Sequence, residues 1–379
     1  MTTAPKQPIT DVASPDTPVR KNLIDLGDIE SLQILDTDGV ADEAFVPRLD
    51  DEALLRVHRA MVLTRTLDIR MLNMQRQGEM GTFAPGIGQE ATQIGQVHPL
   101  RSRDWFVPSY RSFGAQLWRG WTIEGLMLLW DGFFEGFEVP AGVNDLPFSI
   151  VIGSQVPVAT GVAMGIRQRR EKHVVVTNFG DGAISQGAVN EAFNFAAVYK
   201  SPIVFVVENN GYAISMPAEK QAATKELARR GPGFGIPAIR VDGNDVLAMI
   251  VATTEAVDRA RAGEGPTLIE AVTYRMGLHT TADDPKVYRS DDEVDSWKPR
   301  DPITRFEKYL IGKGLLDENR IQRTGEECEQ GVLNARERFR ERAVANPREV
   351  FEYIYDSLPP ALQQQKREYL ARLDRKGVR

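Results

Sequence analysis

Two unbroken apolar runs constrain this chain more than anything else in it: His173-Val-Val-Val-Thr-Asn-Phe179 and Ile203-Val-Phe-Val-Val207. Neither alternates with polar residues, so each reads as a strand buried on both faces, the pattern of a parallel sheet covered by helices. A helix-like stretch from about Ser185 to Tyr199 separates them. A strand-helix-strand unit brings both C-terminal strand ends to one sheet edge, where open α/β sheets bind ligands. The first run ends in Gly180-Asp181-Gly182-Ala183, and the second continues into Glu208-Asn209-Asn210-Gly211-Tyr212. One loop delivers a carboxylate to that edge and the other an amide oxygen.

Those residue types suit a metal-diphosphate clamp. Mg²⁺ takes hard oxygen ligands in near-octahedral geometry, usually one or two protein groups with phosphate oxygens and water. Asp181, the Asn210 side-chain oxygen and a backbone carbonyl at Tyr212 supply three such oxygens. Gly182 lets backbone approach closely, and free N–H groups at the start of the following helix favour an anion. Gly-Asp-Gly alone reads equally well as a tight strand-helix turn; the second asparagine, 29 positions beyond Asp181, favours the clamp. A dinucleotide turn is the competing reading. It places Ser185 where a third glycine belongs and sets Asp181 against a pyrophosphate with no cation between them.

The rest of the chain fits one α/β unit with additions. Its 379 residues, 42% of them hydrophobic, can bury a large core. Residues 1–49 read as a polar N-terminal extension, 50–300 as the α/β domain and 301–379 as a C-terminal helical region. Leu54, Leu55, Val57, Met61, Leu63 and Leu67 recur at helical spacing between 50 and 76, and another helix starts at Gln89. Strands are expected at 173–179, 203–208, 238–241 and 267–274, with helices near 155–169, 185–199, 222–230 and 245–262. Charged helical runs at 317–344 and 348–358 precede Pro359-Pro360 and a last helix to about Leu373. Gly161 and Gly165, one turn apart, suggest close approach of another helix, across a subunit interface or within one subunit. A net charge of -7 argues against a nucleic-acid surface, and no window approaches the roughly 20 apolar residues of a membrane span. The single cysteine, Cys328, excludes an internal disulfide, and a reducing cytoplasm is the expected compartment.

Gly180-Asp181-Gly182 followed at this spacing by Asn209-Asn210 resembles the diphosphate-binding motif of thiamine-diphosphate enzymes. The likeness covers roughly residues 32–373 and is nearest to alpha subunits of the decarboxylating component of 2-oxo acid dehydrogenase complexes. It is carried further by Gly88-Gln-Glu-Ala91, Pro108-Ser-Tyr-Arg111, Gln155-Val-Pro157, Asn209-Asn-Gly-Tyr-Ala-Ile-Ser215, Arg240-Val-Asp-Gly-Asn244, Gly265-Pro-Thr-Leu-Ile-Glu270 and Tyr274-Arg-Met-Gly-Leu-His-Thr-Thr-Ala-Asp-Asp-Pro285. The resemblance implies the diphosphate-binding half of a thiamine-diphosphate fold, with thiamine diphosphate and Mg²⁺ as cofactors. It also implies a separate beta subunit in a two-alpha, two-beta heterotetramer, which supplies the glutamate that activates the aminopyrimidine. A lipoyl-bearing acyltransferase is the implied acceptor of the acyl group.

Residue by residue, the resemblance gives Tyr110 and Arg111 to the diphosphate, Asp181, Asn210 and Tyr212 to the metal, and Gly182 and Ala183 to the cofactor loop. It sets Ile150 and Ile152 against the aminopyrimidine, with Ile152 as the wedge beneath a bent cofactor, though both also read as core isoleucines. His279 becomes the catalytic histidine, binding diphosphate and orienting acyl transfer; an imidazole near its ordinary pKa exchanges protons at working pH. His58, His98 and His173 read as structural. Phe83 is a candidate for the substrate pocket, Thr280 no phosphorylation site, and the acids at 283–284 and 290–294 loop-ordering groups. Two departures leave the substrate open. Phe83-Ala-Pro85 lacks the histidine of mitochondrial pyruvate-type relatives, and Ser149-Ile-Val-Ile-Gly-Ser-Gln155 lacks the serine-proline pair of branched-chain ones. Pyruvate with acetyl transfer is the first expectation, a branched-chain 2-oxo acid the second, and a non-catalytic structural subunit the distant third.

Overall fold

In a computed structural model that describes residues 28–377, a parallel sheet of seven strands organises the chain. The strands are β1 (Glu30–Leu32), β2 (Trp105–Val107), β3 (Asn144–Asp145), β4 (Val175–Gly180), β5 (Ile203–Asn209), β6 (Ala238–Asp242) and β7 (Thr267–Val272). Their spatial order is β1-β6-β7-β5-β4-β2-β3. The two apolar runs are therefore neighbours, in parallel register with Val175 beside Ile203 and Gly180 beside Glu208. Their side chains alternate between two cores. Val176, Val204, Val206 and Ile269 face one, and Val175, Phe179, Ile203, Phe205 and Val207 the other. That is the doubly covered α/β sheet expected from the sequence.

Helices follow their capping chemistry. α1 (Asp51–Arg76) starts where the Asp50 side chain accepts from Ala53 N. α2 (Glu90–Gly95), α3 (Phe113–Trp118), α4 (Ile123–Asp131), α5 (Gln155–Gln168) and α6 (Gly187–Val198) follow in turn. α7 (Val246–Ala262) is capped by Asp245 and stopped by Gly263 at φ +87°. α8 (Asp291–Trp297), α9 (Pro302–Gly312), α10 (Glu318–Arg342) and α11 (Pro360–Arg375) complete the described chain. Buried Val332 and Phe339 of α10 join a third cluster with Leu67 and Met71 of α1 and Leu126 of α4.

Three expectations are corrected. Residues 1–27 of the expected extension lie outside the described residues, and 28–49 pack against the α/β domain rather than extending from it. Glu30–Leu32 pairs with β6, and Asp245 accepts from Ile34 N and Leu35 N at 2.7 and 2.6 Å. The stretch 222–230 is not one helix. Ala228 N donates to the Glu270 carboxylate at 2.9 Å, and Gly231-Pro232-Gly233 allows only a single turn. After a 3-10 turn at Pro347–Glu349, residues 350–358 form turns and loop rather than helix; helix resumes only at Pro360.

Candidate active site

The C-terminal ends of β4 and β5 open onto a cavity of about 270 Å³. Asp181 follows the last residue of β4, and Asn210 the last residue of β5. The two loops touch: a Cβ on Gly182 would lie 2.6 Å from the Ala213 Cβ, so only glycine permits this approach. Asp181 is 3% exposed, and its Oδ2 is buried without a partner among the described residues. Burial raises its pKa to about 6, against the opposing pull of nearby backbone N–H groups and Arg275. Asn210 Nδ2 donates to Gln89 Oε1 at 3.1 Å, and its Oδ1 accepts from Tyr212 N at 3.3 Å. The Tyr212 hydroxyl donates to Glu293 at 2.8 Å. Among the described residues no cluster of three or more His, Cys, Asp or Glu is placed to hold a metal. A carboxylate with an orphaned oxygen beside an amide oxygen suits instead a hard cation that completes its shell with phosphate and water.

The opposite wall is cationic. Arg111 is 5% exposed; one guanidinium nitrogen bonds Pro85 O and another donates to His279 O at 3.0 Å. Its guanidinium lies over the Tyr110 ring, which meets His279 edge-on. His279 Nδ1 accepts from Arg275 at 2.6 Å and from Arg111 at 3.2 Å. Guanidiniums only donate, so the Nδ1 lone pair is used and the ring proton sits on Nε2. Burial and these two positive neighbours push the His279 pKa down to about 3. In the cofactor-free chain the imidazole is therefore a neutral donor. The loop beyond it is tied down. Asp283 accepts from His279 N and the Tyr288 hydroxyl, and Arg289 donates to Met276 O and Gly277 O.

Ile152 and Val151 form the apolar side of the cavity. Ile150 sits on the same turn, 59% exposed, and does not line it. Ala183 and Tyr110 do. Phe83 is fully buried against Trp130 and is not part of this cavity. His58, paired with Glu307, and His98, beside Trp118, lie elsewhere.

Residues 58–348 match the family described as Dehydrogenase E1 component. The chain belongs to that family. Among relatives of this E1 chain is the pyruvate dehydrogenase E1 component subunit alpha of Acholeplasma laidlawii, 44% identical over 87% of this chain and 96% of the relative. The subunit of that name in Staphylococcus epidermidis is 42% identical over 90% of this chain and 92% of its own. The 3-methyl-2-oxobutanoate dehydrogenase subunit alpha of Mycobacterium tuberculosis is 43% identical over 92% of this chain and 95% of its own. The family places this E1 chain among thiamine-diphosphate-dependent 2-oxo acid dehydrogenase components.

Several lining or supporting residues of this E1 chain escaped sequence reasoning. Glu208 reads as a strand end, yet it is buried on the cavity and accepts from Asn178 Nδ2 at 2.7 Å and Gln96 Nε2 at 3.0 Å. Ile214 adopts φ +58°, a strained backbone for a β-branched residue, with its carbonyl held by Arg275 at 3.0 Å. Arg275 is the link between that strained residue and His279. Its signal is its position four residues before the histidine, within Tyr274-Arg-Met-Gly-Leu-His279, but only the fold turns it inward.

Proposed function

We propose that this chain is the alpha subunit of a pyruvate dehydrogenase E1 component, carrying out thiamine-diphosphate-dependent oxidative decarboxylation of pyruvate with acyl transfer to a lipoyl group. The observation that carries the reading is the orphaned Asp181 Oδ2, buried on the cavity it shares with Asn210, Arg111 and His279. Asp181, Asn210 Oδ1 and the Tyr212 carbonyl would hold Mg²⁺, and Tyr110, Arg111 and His279 would hold the diphosphate. When bound, thiamine diphosphate supplies the carbanion nucleophile and the electron sink for decarboxylation. The neutral His279 would donate through Nε2 to a diphosphate oxygen, whose negative charge would favour the protonated ring. Gly182 and Ala183 would bring backbone up to the cofactor, while Ile152 and the exposed turn at Ile150 would take its aminopyrimidine end. The cavity's open side and the exposed Ile150, Val151 and Ile152 support a beta subunit as the missing wall. The proposed assembly is a two-alpha, two-beta heterotetramer that serves a lipoyl-bearing acyltransferase in the cytoplasm.

The test is turnover by the assembled alpha-beta complex with thiamine diphosphate and Mg²⁺. Pyruvate and 3-methyl-2-oxobutanoate are compared side by side, because relatives named for each stand at nearly equal identity. A higher kcat/KM for pyruvate is expected, and preference for the branched acid replaces the substrate. Asp181→Ala is expected to weaken cofactor binding beyond the roughly 10–100-fold of an outer-shell change. Unchanged binding by that variant removes the clamp.

A further inference from the structure

A carboxamide has two ends of nearly equal size, and only its oxygen ligates a hard cation; turned half round, Asn210 presents an N–H₂ donor instead. We infer that Gln89 is the positioning residue that decides which end of Asn210 faces the metal, an inference that rests on the metal site proposed above. Two contacts fix the amide from opposite sides. Tyr212 N donates to Oδ1 at 3.3 Å, which requires the oxygen on that side, and Nδ2 donates to Gln89 Oε1 at 3.1 Å. Oδ1 has a second lone pair, so accepting from Tyr212 N leaves it free to ligate.

Gln89 is itself rigidly placed. It caps α2 directly after Gly88, whose φ is +97° and where a Cβ would lie 2.5 Å from Tyr274 O. Its N–H donates to Gly86 O, and its carbonyl accepts from Gln93 N. The side chain is 0% exposed, and Nε2 has no partner among the described residues, so its one polar contact is with Asn210. A buried amide with an orphaned N–H₂ lowers stability, so packing alone does not account for glutamine at this position. Orientation of Asn210 does.

The test uses the complex assembled with the beta partner, thiamine diphosphate and Mn²⁺ as the probe, with free Mn²⁺ read by electron paramagnetic resonance. Gln89→Met keeps the volume and removes the acceptor; Mn²⁺ affinity falls about tenfold or more, the scale of outer-shell changes at metal sites. Gln89→Glu keeps an obligate acceptor and restores affinity to within about threefold of the parent, on the same outer-shell scale. Asn210→Asp has two equivalent oxygens, so orientation ceases to matter. Adding Gln89→Met in that background changes affinity by less than about threefold, even if the single variant assembles poorly. Equal losses in both backgrounds, or parental affinity in Gln89→Met, overturn the inference while leaving the metal site standing. Mn²⁺ binding unaffected by Asp181→Ala overturns both.

Discussion

At the scale of residues, the cavity concentrates groups whose charge states are set by neighbours rather than by type. His279 is held neutral by burial and by Arg111 and Arg275, so its imidazole resonances are expected to show no titration above about pH 4 in the cofactor-free chain, its pKa being pushed to about 3. The sign for stability follows: the unfolded histidine takes up a proton near pH 6.5 that the folded one refuses. Stability therefore falls as pH drops below that value. Urea midpoints from pH 7 to 4 are expected to fall less steeply for His279→Gln. Asp68 behaves oppositely. It is fully buried, accepts from Gly86 N at 2.7 Å, and burial with Glu90 nearby raises its pKa to about 8. The folded state keeps a proton that the unfolded carboxyl loses near 4, so this stabilisation fades between about pH 4 and pH 8 and is gone above it. Asp68→Asn keeps the acceptor without the titration. Its advantage in Tm over the parent is expected to grow from pH 5 to 8 and then level off.

At the scale of elements, one aspartate joins distant pieces of chain. Asp245 caps α7 through Leu247 N and Ala248 N, and it also accepts from Ile34 N and Leu35 N. Arg305 reinforces the joint by donating to Asp242 at 2.9 Å and to Asp36 O at 2.8 Å. Asp245→Ala leaves two sets of backbone donors unmet and is expected to cost about 3 kcal/mol in chemical unfolding. A Glu30–Leu32 strand was not legible beforehand. Three residues of Glu-Ser-Leu carry no β-branched signal, and the groups that hold them lie more than 200 positions away. The expected helix at 222–230 failed for the same reason: a carboxylate from β7 claims the Ala228 N–H.

At the scale of the whole molecule, the sheet buries its own faces yet leaves one helix edge unmatched. A Cβ on Gly161 or Gly165 meets nothing within 4 Å, and Val158 beside them is 50% exposed. Packing within one subunit therefore finds no partner for these glycines among the described residues. Gly161→Leu is expected to leave the Tm of the isolated chain unchanged or higher, since glycine costs a helix about 1 kcal/mol. The same change is expected to weaken assembly with the proposed beta subunit, seen as a shift to smaller species in light scattering. Equal assembly would assign this face to solvent.

The four strands of 173–272 and the helices near 185–199 and 245–262, with Asp181 and Asn210 at one sheet edge, were readable from the chain alone. Buried parallel strands need long apolar runs, and their ends must converge where the crossover helix returns. What that pattern leaves unspecified is which side chains meet across loops. The protonation state of His279, the strain at Ile214 and the partner of Asn210 depend on Arg275 and Gln89. Both reach residues of the cavity wall from segments remote from its two loops, and only the closed fold brings their charges and lone pairs within bonding distance.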